Sequence, residues 1–340
     1  MRWSTNRVHS SEDARQLAQR NLPRLVFDFI QGGAGRETGL ERNTRRFDEL
    51  LLQPRVMADV ATRDLGVSLL GQAYKAPFGI APMGMCNLVD PGADRAIASV
   101  GAEGALPVCL SAAASTPLER MRSWAGEYTW FQVYFGGSAE ATLKTIERAR
   151  AAGYTTLVLT VDVPQVSRRV RDLRNGFSFP FHMSPRAALD FATHPRWSIR
   201  TLLAGLPSPQ NISSDSASAS FDRNASRAGA DWAFLARARD RWPGHLIVKG
   251  VTAPDDAIKV MQAGADAIYV SNHGARQLDS VPAAIDLLPL IRHAVGPHFT
   301  LLFDSGVRNG ELRAASASPR RSAGPCPAES PHPSCRPRGA

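Results

Sequence analysis

The stretch SNHGARQLD (271–279) places two chemically active side chains directly after the apolar run at 267–270. His273 and Arg276 lie three residues apart in this stretch. A neutral imidazole can accept a proton near neutral pH, and a guanidinium can bind a carboxylate through paired hydrogen bonds. The stretch therefore predicts a base and an anion-binding group side by side, at the end of a buried strand.

Polar or conformationally special residues end six other apolar runs in the same way. They are Pro82 and Gly84, Ser111, Gln132 and Tyr134, Thr160 and Asp162, Lys249, and Asp304 followed by Arg308. Each alone has an ordinary structural explanation, since an Asp after a strand often caps a helix and a lone His is often structural. If the runs are parallel strands of one sheet, however, their carboxyl ends open on one face, and the side chains converge there.

The combined set has a consistent chemistry. Asp162 could orient His273 and stabilise its protonated form, and Arg169 and Arg276 could hold a carboxylate between them. Lys249 could place a positive charge beside an electron acceptor. None of these groups is itself a redox centre, so hydride or electron chemistry would need a cofactor.

Short apolar runs alternate with amphipathic stretches from residue 77 onward, and this alternation predicts the fold. The seven runs are 77–82, 105–111, 128–134, 155–162, 245–250, 267–272 and 299–305. Helix-like segments such as SAEATLKTIERARAAG lie between several of them, with Gly104, Gly153 and Gly264 at their expected ends. Continuous apolar strands separated by helices indicate a parallel sheet covered on both faces, and this spacing favours a (β/α)8 TIM barrel over an open doubly wound sheet.

Two segments depart from this alternation. Residues 1–70 predict a helical lead-in to the same domain, in which Ser10 caps one helix and Pro23 opens the next, RLVFDFIQ, before Gly32. An insertion at 177–230 interrupts the barrel, which we assign to 71–310. The aromatic first part of the insertion could cover the site, touch a membrane or be a plain surface insertion; for its Ser-, Ala- and Asn-rich second part we expect a mobile loop.

Composition excludes several classes of protein. The formal net charge is +9, but residues 311–340 supply +3 of it and the rest is spread along the chain, so we expect no nucleic-acid partner. The spacing of Cys86, Cys109, Cys326 and Cys335 fits neither a zinc site nor a disulfide framework, and we expect no metal. Without an apolar signal core or a membrane-length apolar stretch, we expect a cytoplasmic protein that can still attach to a membrane surface.

Five segments together resemble one known family in order and spacing: SNHGARQLD, LTVD followed by Arg168 and Arg169, LIVKG, FQVY and FDSGVRNG. The chain resembles the FMN-dependent 2-hydroxy-acid dehydrogenases and oxidases, which include mandelate dehydrogenase, lactate dehydrogenase and glycolate oxidase. The resemblance runs from about residue 10 to about residue 310, and is strongest to the mandelate and lactate dehydrogenase branch. Some members of that branch attach to the inner face of the cell membrane through the segment that matches 177–230.

The resemblance implies oxidation of an (S)-2-hydroxy acid to the 2-oxo acid, with flavin N5 accepting the electrons. It implies that His273 is the base and that Asp162 supports it. The substrate would be bound by Arg276, Arg169 and Tyr134, with Phe29 beside it. FMN would be bound by Pro82, Gly84, Ser111, Gln132, Thr160, Lys249, Asp304, Gly306 and Arg308. The partners implied are the small hydroxy acid, an electron acceptor (quinone, cytochrome or oxygen), a peripheral membrane contact and a homotetramer.

Two departures from the family pattern stand out. Phe29 replaces the usual tyrosine and cannot donate a hydrogen bond, which would weaken carboxylate binding by about 0.5–1.5 kcal/mol, or up to about 3 kcal/mol for a charged partner. After Gly310 the chain holds six prolines and a single large aliphatic residue, Leu312. That composition cannot supply the eighth strand and the C-terminal helices of the barrel. We therefore expect a truncated or frameshifted end with a disordered tail at 311–340, which resequencing the gene around codon 310 would test.

Two alternatives to an active dehydrogenase remain at this point. The chain could be an inactive, truncated family member that does not retain FMN, or a flavin barrel with another reaction, such as an isomerase. The two arginines beside His273 favour a carboxylate-bearing substrate and make the isomerase the weakest hypothesis.

Overall fold

A computed structural model describes residues 8–54, 56–57, 59–177, 183–212 and 227–310. The strands are β1 (Val67–Leu69), β2 (Gln72–Tyr74), β3 (Ile80–Met83), β4 (Val108–Ser111), β5 (Thr129–Tyr134), β6 (Thr156–Thr160), β7 (His245–Val251), β8 (Ala267–Val270) and β9 (Thr300–Phe303). The helices are α1 (Ser11–Asn21), α2 (Arg24–Gln31), α3 (Thr38–Asp48), α4 (Ala93–Gly104), α5 (Leu118–Ala125), α6 (Ala139–Ala151), α7 (Val170–Asn175), α8 (Pro185–Ala192), α9 (Pro195–Ala204), α10 (Trp232–Arg241), α11 (Pro254–Gln262) and α12 (Ala284–Val295).

The seven strands predicted from the apolar runs are confirmed, and they form one parallel sheet. Their order is β3-β4-β5-β6-β7-β8-β9, so each strand pairs with the next one in the chain. This is the α/β, TIM-barrel-like arrangement expected from the sequence, with helices between successive strands. In the described residues β3 and β9 are the two ends of the sheet. The predicted tail at 311–340 lies outside those residues.

Both faces of the central strands are buried, which explains why they read as continuous apolar runs. In β6, Leu157 and Leu159 pack against the surrounding helices, while Val158 between them points to the opposite, inner face. The two faces alternate because successive side chains of a strand point in opposite directions. The inner cluster also contains Cys109, Trp130, Ile247, Ala267 and Tyr269.

A small hairpin formed by β1 and β2 covers the inner cluster at the amino ends of the parallel strands. Its Tyr74 is 4% exposed and belongs to that cluster. The Trp130 indole N–H donates to the Tyr74 hydroxyl at 3.1 Å, and the two rings meet edge to face at 6.3 Å. Both large side chains thus bury their rings and still satisfy their polar atoms.

The N-terminal helices form as predicted and one of them contacts the barrel closely. Ser10 and Asp13 form a capping box on α1, and α2 begins after Pro23 and ends before Gly32. The start of α3 binds the Asp279 carboxylate through the Gly39 N–H at 2.7 Å. A Cβ at Gly39 would lie 2.4 Å from the Asp279 carbonyl oxygen, so only glycine allows this approach.

Two of the three predicted helix-end glycines, Gly153 and Gly264, have positive φ just after α6 and α11. The third expectation, that a helix ends at Gly104, is confirmed as well. Gly104 is the last residue of α4, and Ala105 takes the left-handed conformation instead, at φ 46°. The Leu106 N–H bonds to Gly101 O at 2.9 Å across this end, which closes the helix there.

The predicted insertion at 177–230 contains two described helices, α8 and α9, while 178–182 and 213–226 lie outside the described residues. Trp197 of α9 is buried and donates to Leu88 O at 2.9 Å, which ties the helix to the barrel. The outer face of α9 is apolar and exposed. Among the helices of the described ranges, none has both the length and the apolar character to cross a bilayer.

Candidate active site

Strand register aligns the predicted polar residues along the carboxyl edge of the sheet. Ser111 lies opposite Gln132, and Thr160 lies opposite both Tyr134 and Lys249 on its two neighbouring strands. The pairing forms two levels, because Gln132 lies opposite Val158, two residues before Thr160. Four strands thus place their polar ends at two neighbouring levels of the carboxyl edge.

His273 and Asp162 form the central pair of the site. The His273 Nδ1 atom lies 3.0 Å from Asp162 Oδ1, and both side chains are largely buried, with exposures of 18% and 14%. A carboxylate at Nδ1 favours the tautomer that carries its proton there, which leaves Nε2 as the basic nitrogen. The pair can therefore accept a proton and stabilise the resulting imidazolium.

The turn that presents His273 has an uncommon backbone conformation. His273, Gly274 and Ala275 all have positive φ, at 56°, 63° and 55°. Such angles cost of order 1–3 kcal/mol for each residue with a side chain, and they persist where surrounding contacts fix them. The turn reverses the chain immediately after β8, so that Arg276 follows His273 back toward the site.

Hydrogen bonds from three segments hold this turn in place. Asn272 and Asn43 exchange a pair of side-chain bonds at 2.7 and 2.9 Å, and Asn272 Oδ1 also accepts from the Ala275 N–H at 3.2 Å. The Gly274 N–H donates to Ser305 Oγ at 3.0 Å. The contact to α3 through Asn43 shows how the N-terminal helices take part in shaping the site.

Arg169 and Arg276, which are 107 positions apart, meet at the carboxyl end of α2. Arg169 donates to the carbonyls of Phe29 and of Gly32, the latter at 3.2 Å. Arg276 donates to the same Phe29 carbonyl at 3.2 Å and also to the Ile30 carbonyl. The negative end of a helix dipole favours this gathering of cations. Burial lowers the pKa of Arg276 from its usual value.

Phe29 thus enters the site chiefly through its backbone. Its ring stacks on Phe177, with centroids 4.3 Å apart, and the Arg169 guanidinium lies 5.0 Å from the ring centroid. The ring gives the arginine an apolar and aromatic surface on one side.

Tyr134 lies beside the His273 ring, with centroids 6.3 Å apart. Burial raises the pKa of Tyr134 above its usual range, and the charge of Asp162 adds to that shift. The phenol is therefore neutral at physiological pH and can donate a hydrogen bond. Arg227, which lies 5.4 Å from the Tyr134 ring centroid, adds a cation that sequence reasoning missed.

Lys249 is a buried cation, 4% exposed, and its ammonium group has three close partners. It donates to Ser271 Oγ at 2.6 Å and to Asp304 Oδ2 at 2.7 Å, and it lies 4.8 Å from the Tyr269 ring centroid. Burial alone would raise the pKa of Asp304, but the Lys249 charge and hydrogen bond outweigh it and hold that pKa below its usual value. The ion pair therefore joins the ends of β7 and β9.

Residues at the two ends of the sheet are more exposed. Pro82 is half-buried and Gly84 is exposed, close to the segment after Ser111, since a Cβ at Gly84 would lie 3.0 Å from Ala113 Cβ. Gly306, at φ 99°, packs so tightly against Asn43 that a Cβ would lie 2.5 Å from that residue's carbonyl oxygen. Arg308 is exposed, and its charge contributes to lowering the pKa of Arg276.

Unpaired buried polar atoms test whether these residues suit a flavin. Gln132 Nε2 and Thr160 Oγ1 are buried and have no hydrogen-bond partner among the described residues. Such atoms are uncommon in folded proteins unless a ligand, water or ion completes them. Both lie at the carboxyl edge of the sheet, where Thr160 pairs with Lys249, and this set of donors with a cation fits the polar edge of an isoalloxazine ring. The residues present therefore fit FMN.

Three residues of the site were not among the predicted ones. Ser271 accepts from the Lys249 ammonium and, at 3.0 Å, from the His273 N–H, so it links two predicted residues. Asp172 forms a buried ion pair with Arg169 at 3.2 Å, and Arg227 approaches Tyr134. The position of Ser271 inside SNHGARQLD was a usable signal. The other two depend on packing that the sequence pattern does not reveal.

The fold and the site define a flavin-dependent α/β barrel enzyme. Residues 18–313 match the family of FMN-dependent dehydrogenases, and the chain belongs to that family. The resemblance expected from the five sequence segments is thereby confirmed, as is FMN as the family's cofactor.

Named relatives cover most of this chain. An L-lactate dehydrogenase of Pseudomonas syringae pv. syringae is 36% identical over 316 residues, covering 89% of this chain and 82% of that protein. An (S)-mandelate dehydrogenase of Pseudomonas putida is 35% identical over 304 residues, covering 88% and 77%. The crystal structure of the monotopic membrane protein (S)-mandelate dehydrogenase matches with a TM-score of 0.84 at 34% identity, covering 91% of this chain and 84% of that one.

Proposed function

We propose that this chain oxidises an (S)-2-hydroxy acid, of the lactate or mandelate type, to the 2-oxo acid. The observation that carries the proposal is the meeting of an oriented base, the His273–Asp162 pair, with the buried guanidinium of Arg169 and the half-buried one of Arg276 on one face of the barrel. Membership of a family that includes enzymes named lactate and mandelate dehydrogenase supports it.

His273 acts as the base in this proposal. Asp162 holds the proton on Nδ1, so Nε2 can take a proton from the substrate, and the carboxylate then stabilises the charged ring. A base poised in this way contributes a factor of about 10²–10⁴ to the rate.

Arg169 and Arg276 bind the substrate carboxylate, and Tyr134 donates a hydrogen bond near the reacting carbon. The guanidiniums now bind backbone carbonyls, which are neutral acceptors. A carboxylate is a stronger acceptor for the same donors, since charge-assisted bonds are roughly twice as strong as neutral ones. Phe29 lies beside them through its ring and contributes no hydroxyl group.

Ser111, Gln132, Thr160 and Lys249 would hold the flavin ring, with backbone at Pro82 and Gly84 beside it. Asp304, Gly306 and Arg308 would hold the ribityl phosphate arm. When bound, FMN supplies the two-electron acceptor that no side chain provides. Lys249 keeps a buried positive charge at this edge, which Asp304 stabilises by the 2.7 Å contact.

The test is to express the full chain and measure bound FMN by its visible absorption. Anaerobic addition of (S)-lactate or (S)-mandelate should bleach the yellow colour, and the (R)-enantiomers should not. A colourless protein that takes up no added FMN would support the inactive family member instead. A single cooperative thermal transition of that colourless protein would exclude misfolding as the cause.

We further propose that the outer face of α9 lies on an anionic lipid surface. Ile199, Leu202 and Leu203 of α9 are 56–83% exposed, and Leu206, just after the helix ends, is also exposed. An exposed apolar stripe of this kind would otherwise be costly in water. Arg186 in the first turn of α8 and Arg196 in the first turn of α9 are exposed and add positive charge to this segment. The likeness to a protein described as monotopic in the membrane supports this assignment.

Vesicle sedimentation tests the membrane contact. The wild-type chain should sediment with vesicles that contain phosphatidylglycerol, and the double variant Leu202→Ser/Leu203→Ser should stay in the supernatant. The matched control is Leu278→Ser/Leu290→Ser, which changes two exposed leucines away from α9, at 61% and 54% exposure. Equal sedimentation of both variants would exclude α9 as the contact.

Several finer assignments rest on the resemblance alone and stay proposals. They are a location at the inner face of the cell membrane, a quinone, cytochrome or oxygen as the electron acceptor, and a homotetramer. The division into a lead-in at 1–70, a barrel at 71–310 with its insertion, and a tail at 311–340 is a prediction of the same kind. Light scattering of the FMN-loaded chain tests the assembly, and acceptor reduction assays test the electron route.

A further inference from the structure

The two guanidiniums that meet at the end of α2 carry like charges in a buried place. Arg169 is 7% exposed, and both side chains donate to the same carbonyl oxygen, that of Phe29. Two cations this close repel each other, and the repulsion is strong where water is excluded. Carbonyl dipoles offset only part of it, because they carry no net charge.

A carboxylate that belongs to the protein lies next to this pair. Asp172 Oδ2 is 3.2 Å from Arg169 Nη1, and the Asp172 side chain is 4% exposed. Asp172 lies three residues after Arg169, in the first turn of α7, so the helix places the two side chains on one face. Its charge also acts on Arg276, since it opposes the lowering of the Arg276 pKa that burial causes.

A second nearby carboxylate, Glu37, is bound elsewhere. It forms an ion pair with Arg171 and accepts the Gly33 N–H at 3.0 Å. Glu37 acts on Arg276 only through its charge, whereas Asp172 is in direct contact with Arg169, the other member of the pair.

We propose that Asp172 is a positioning residue that sets the net charge of the Arg169–Arg276 pair to plus one, and thereby selects substrates with a single carboxylate. The inference rests on the proposed function, in which these arginines bind the substrate. A monoanion then brings the buried cluster to neutrality. A dianion leaves an uncompensated negative charge without water, which is costly.

Two isosteric ligands that carry no oxidisable hydroxyl test this inference. Oxamate is a monoanion, and oxalate replaces its amide with a second carboxylate. Their dissociation constants are measured by calorimetry on the FMN-loaded wild type and on Asp172→Asn, which keeps the side-chain shape and removes the charge. We expect the preference for oxalate over oxamate to rise about tenfold or more in the variant, since a unit charge at this range shifts equilibria by about 10- to 1,000-fold.

The controls separate a charge effect from a loss of structure. Asp172→Glu keeps the charge and should keep the wild-type preference. Asp28→Asn removes another buried aspartate, which pairs with Arg24 and Arg171 and not with the two site arginines, and should also leave the preference unchanged. If Asp172→Asn does not fold, Asp172→Ser removes the same charge and takes its place.

The outcomes distinguish the two proposals. An unchanged preference in Asp172→Asn, or an equal loss of affinity for both ligands, overturns the role of Asp172. A wild-type protein that binds neither oxamate nor oxalate instead overturns the carboxylate site itself, and with it the proposed function.

Discussion

The two ends of the parallel sheet differ in how their polar groups are satisfied. At the amino ends, Trp130 and Tyr74 bond to each other beneath the hairpin, among apolar neighbours. At the carboxyl ends, Gln132, Thr160 and Asp162 each have a buried atom without a hydrogen-bond partner in the described residues. One end satisfies its polar groups within the chain, and the other keeps buried polar atoms that a bound ligand or water can complete. The difference shows that stability and chemistry are concentrated at opposite ends, as in other barrels of this type.

The largest expected effect is at the carboxyl ends. His273→Gln removes the proposed base and should lower turnover about 10²- to 10⁴-fold, which is about 2.7–5.4 kcal/mol in the barrier. The free energy of unfolding should change little, because the His273 side chain is not part of the apolar core. Steady-state kinetics and denaturant titration check the two quantities. A His273→Gln variant that keeps full turnover would contradict the assignment of the chemistry to the carboxyl ends of the strands.

At the opposite end, Trp130→Ala should act on stability alone. Removing a side chain that is 4% exposed should lower the free energy of unfolding by about 3–5 kcal/mol. Turnover per bound FMN should stay at the wild-type value, because the indole lies on the inner face beneath the site. Chemical denaturation measures this loss. The control is Leu290→Ala at an exposed position, whose free energy of unfolding should stay within about 0.5 kcal/mol of wild type. A matching fall in turnover per flavin would show that the ends are coupled.

The Lys249–Asp304 ion pair sharpens the comparison, because it adds charge-dependent stability at the carboxyl end. In the folded chain the pKa of Asp304 lies below its usual value. The ion pair's contribution to the free energy of unfolding is therefore fully present above the pKa of the unfolded chain, near 3.8. It is lost as the pH falls through the pKa of the folded chain. In that acid window this carboxylate contributes a slope of up to about 1.4 kcal/mol per pH unit.

Unfolding measured between pH 5 and about 2 tests this contribution, because the loss is expected below the unfolded-state value of 3.8. Asp304→Asn should be less stable at neutral pH and should show a shallower acid dependence than wild type. Asp286→Asn, which removes a surface carboxylate paired with Arg46, serves as the matched control. An unchanged slope in Asp304→Asn would contradict the assignment.

The smallest expected effect concerns Phe29. Phe29→Tyr adds a hydroxyl beside Arg169 and should tighten substrate binding by about 0.5–1.5 kcal/mol, seen as a lower KM of about 2- to 13-fold. Phe177→Tyr adds the same group to the other ring of the stack and should leave KM unchanged. If both variants change KM equally, the position of the hydroxyl is not what matters.

Much of the barrel could be predicted from the sequence because its strands are buried on both faces. In a run such as TTLVLTVD the three central strand residues are aliphatic on both faces, and the polar residues that follow them mark the carboxyl end. The convergence of Ser111, Gln132 and Thr160 then follows from parallel pairing alone. The hairpin of β1 and β2 was not predicted, since three-residue strands carry too few alternating positions to stand out.

The contacts between side chains could not be predicted in the same way. Asp172 looks like an ordinary residue in the first turn of a helix, and only the fold shows that it faces Arg169. Arg227 follows a polar segment without any periodic pattern, and its approach to Tyr134 depends on a loop path. Such contacts arise from packing between elements far apart in the chain, which local patterns do not encode.

The sequence alone determined the parallel strands, the order of the helices and the identity of the groups at the strand ends, because burial and periodicity are local properties. Only the tertiary structure decided that Arg169 and Arg276 share one carbonyl at the end of α2, and that Asn43 of α3 fixes the turn at His273. These arrangements link residues more than 100 positions apart. Their geometry depends on how whole elements pack, and so it exists only in the folded chain.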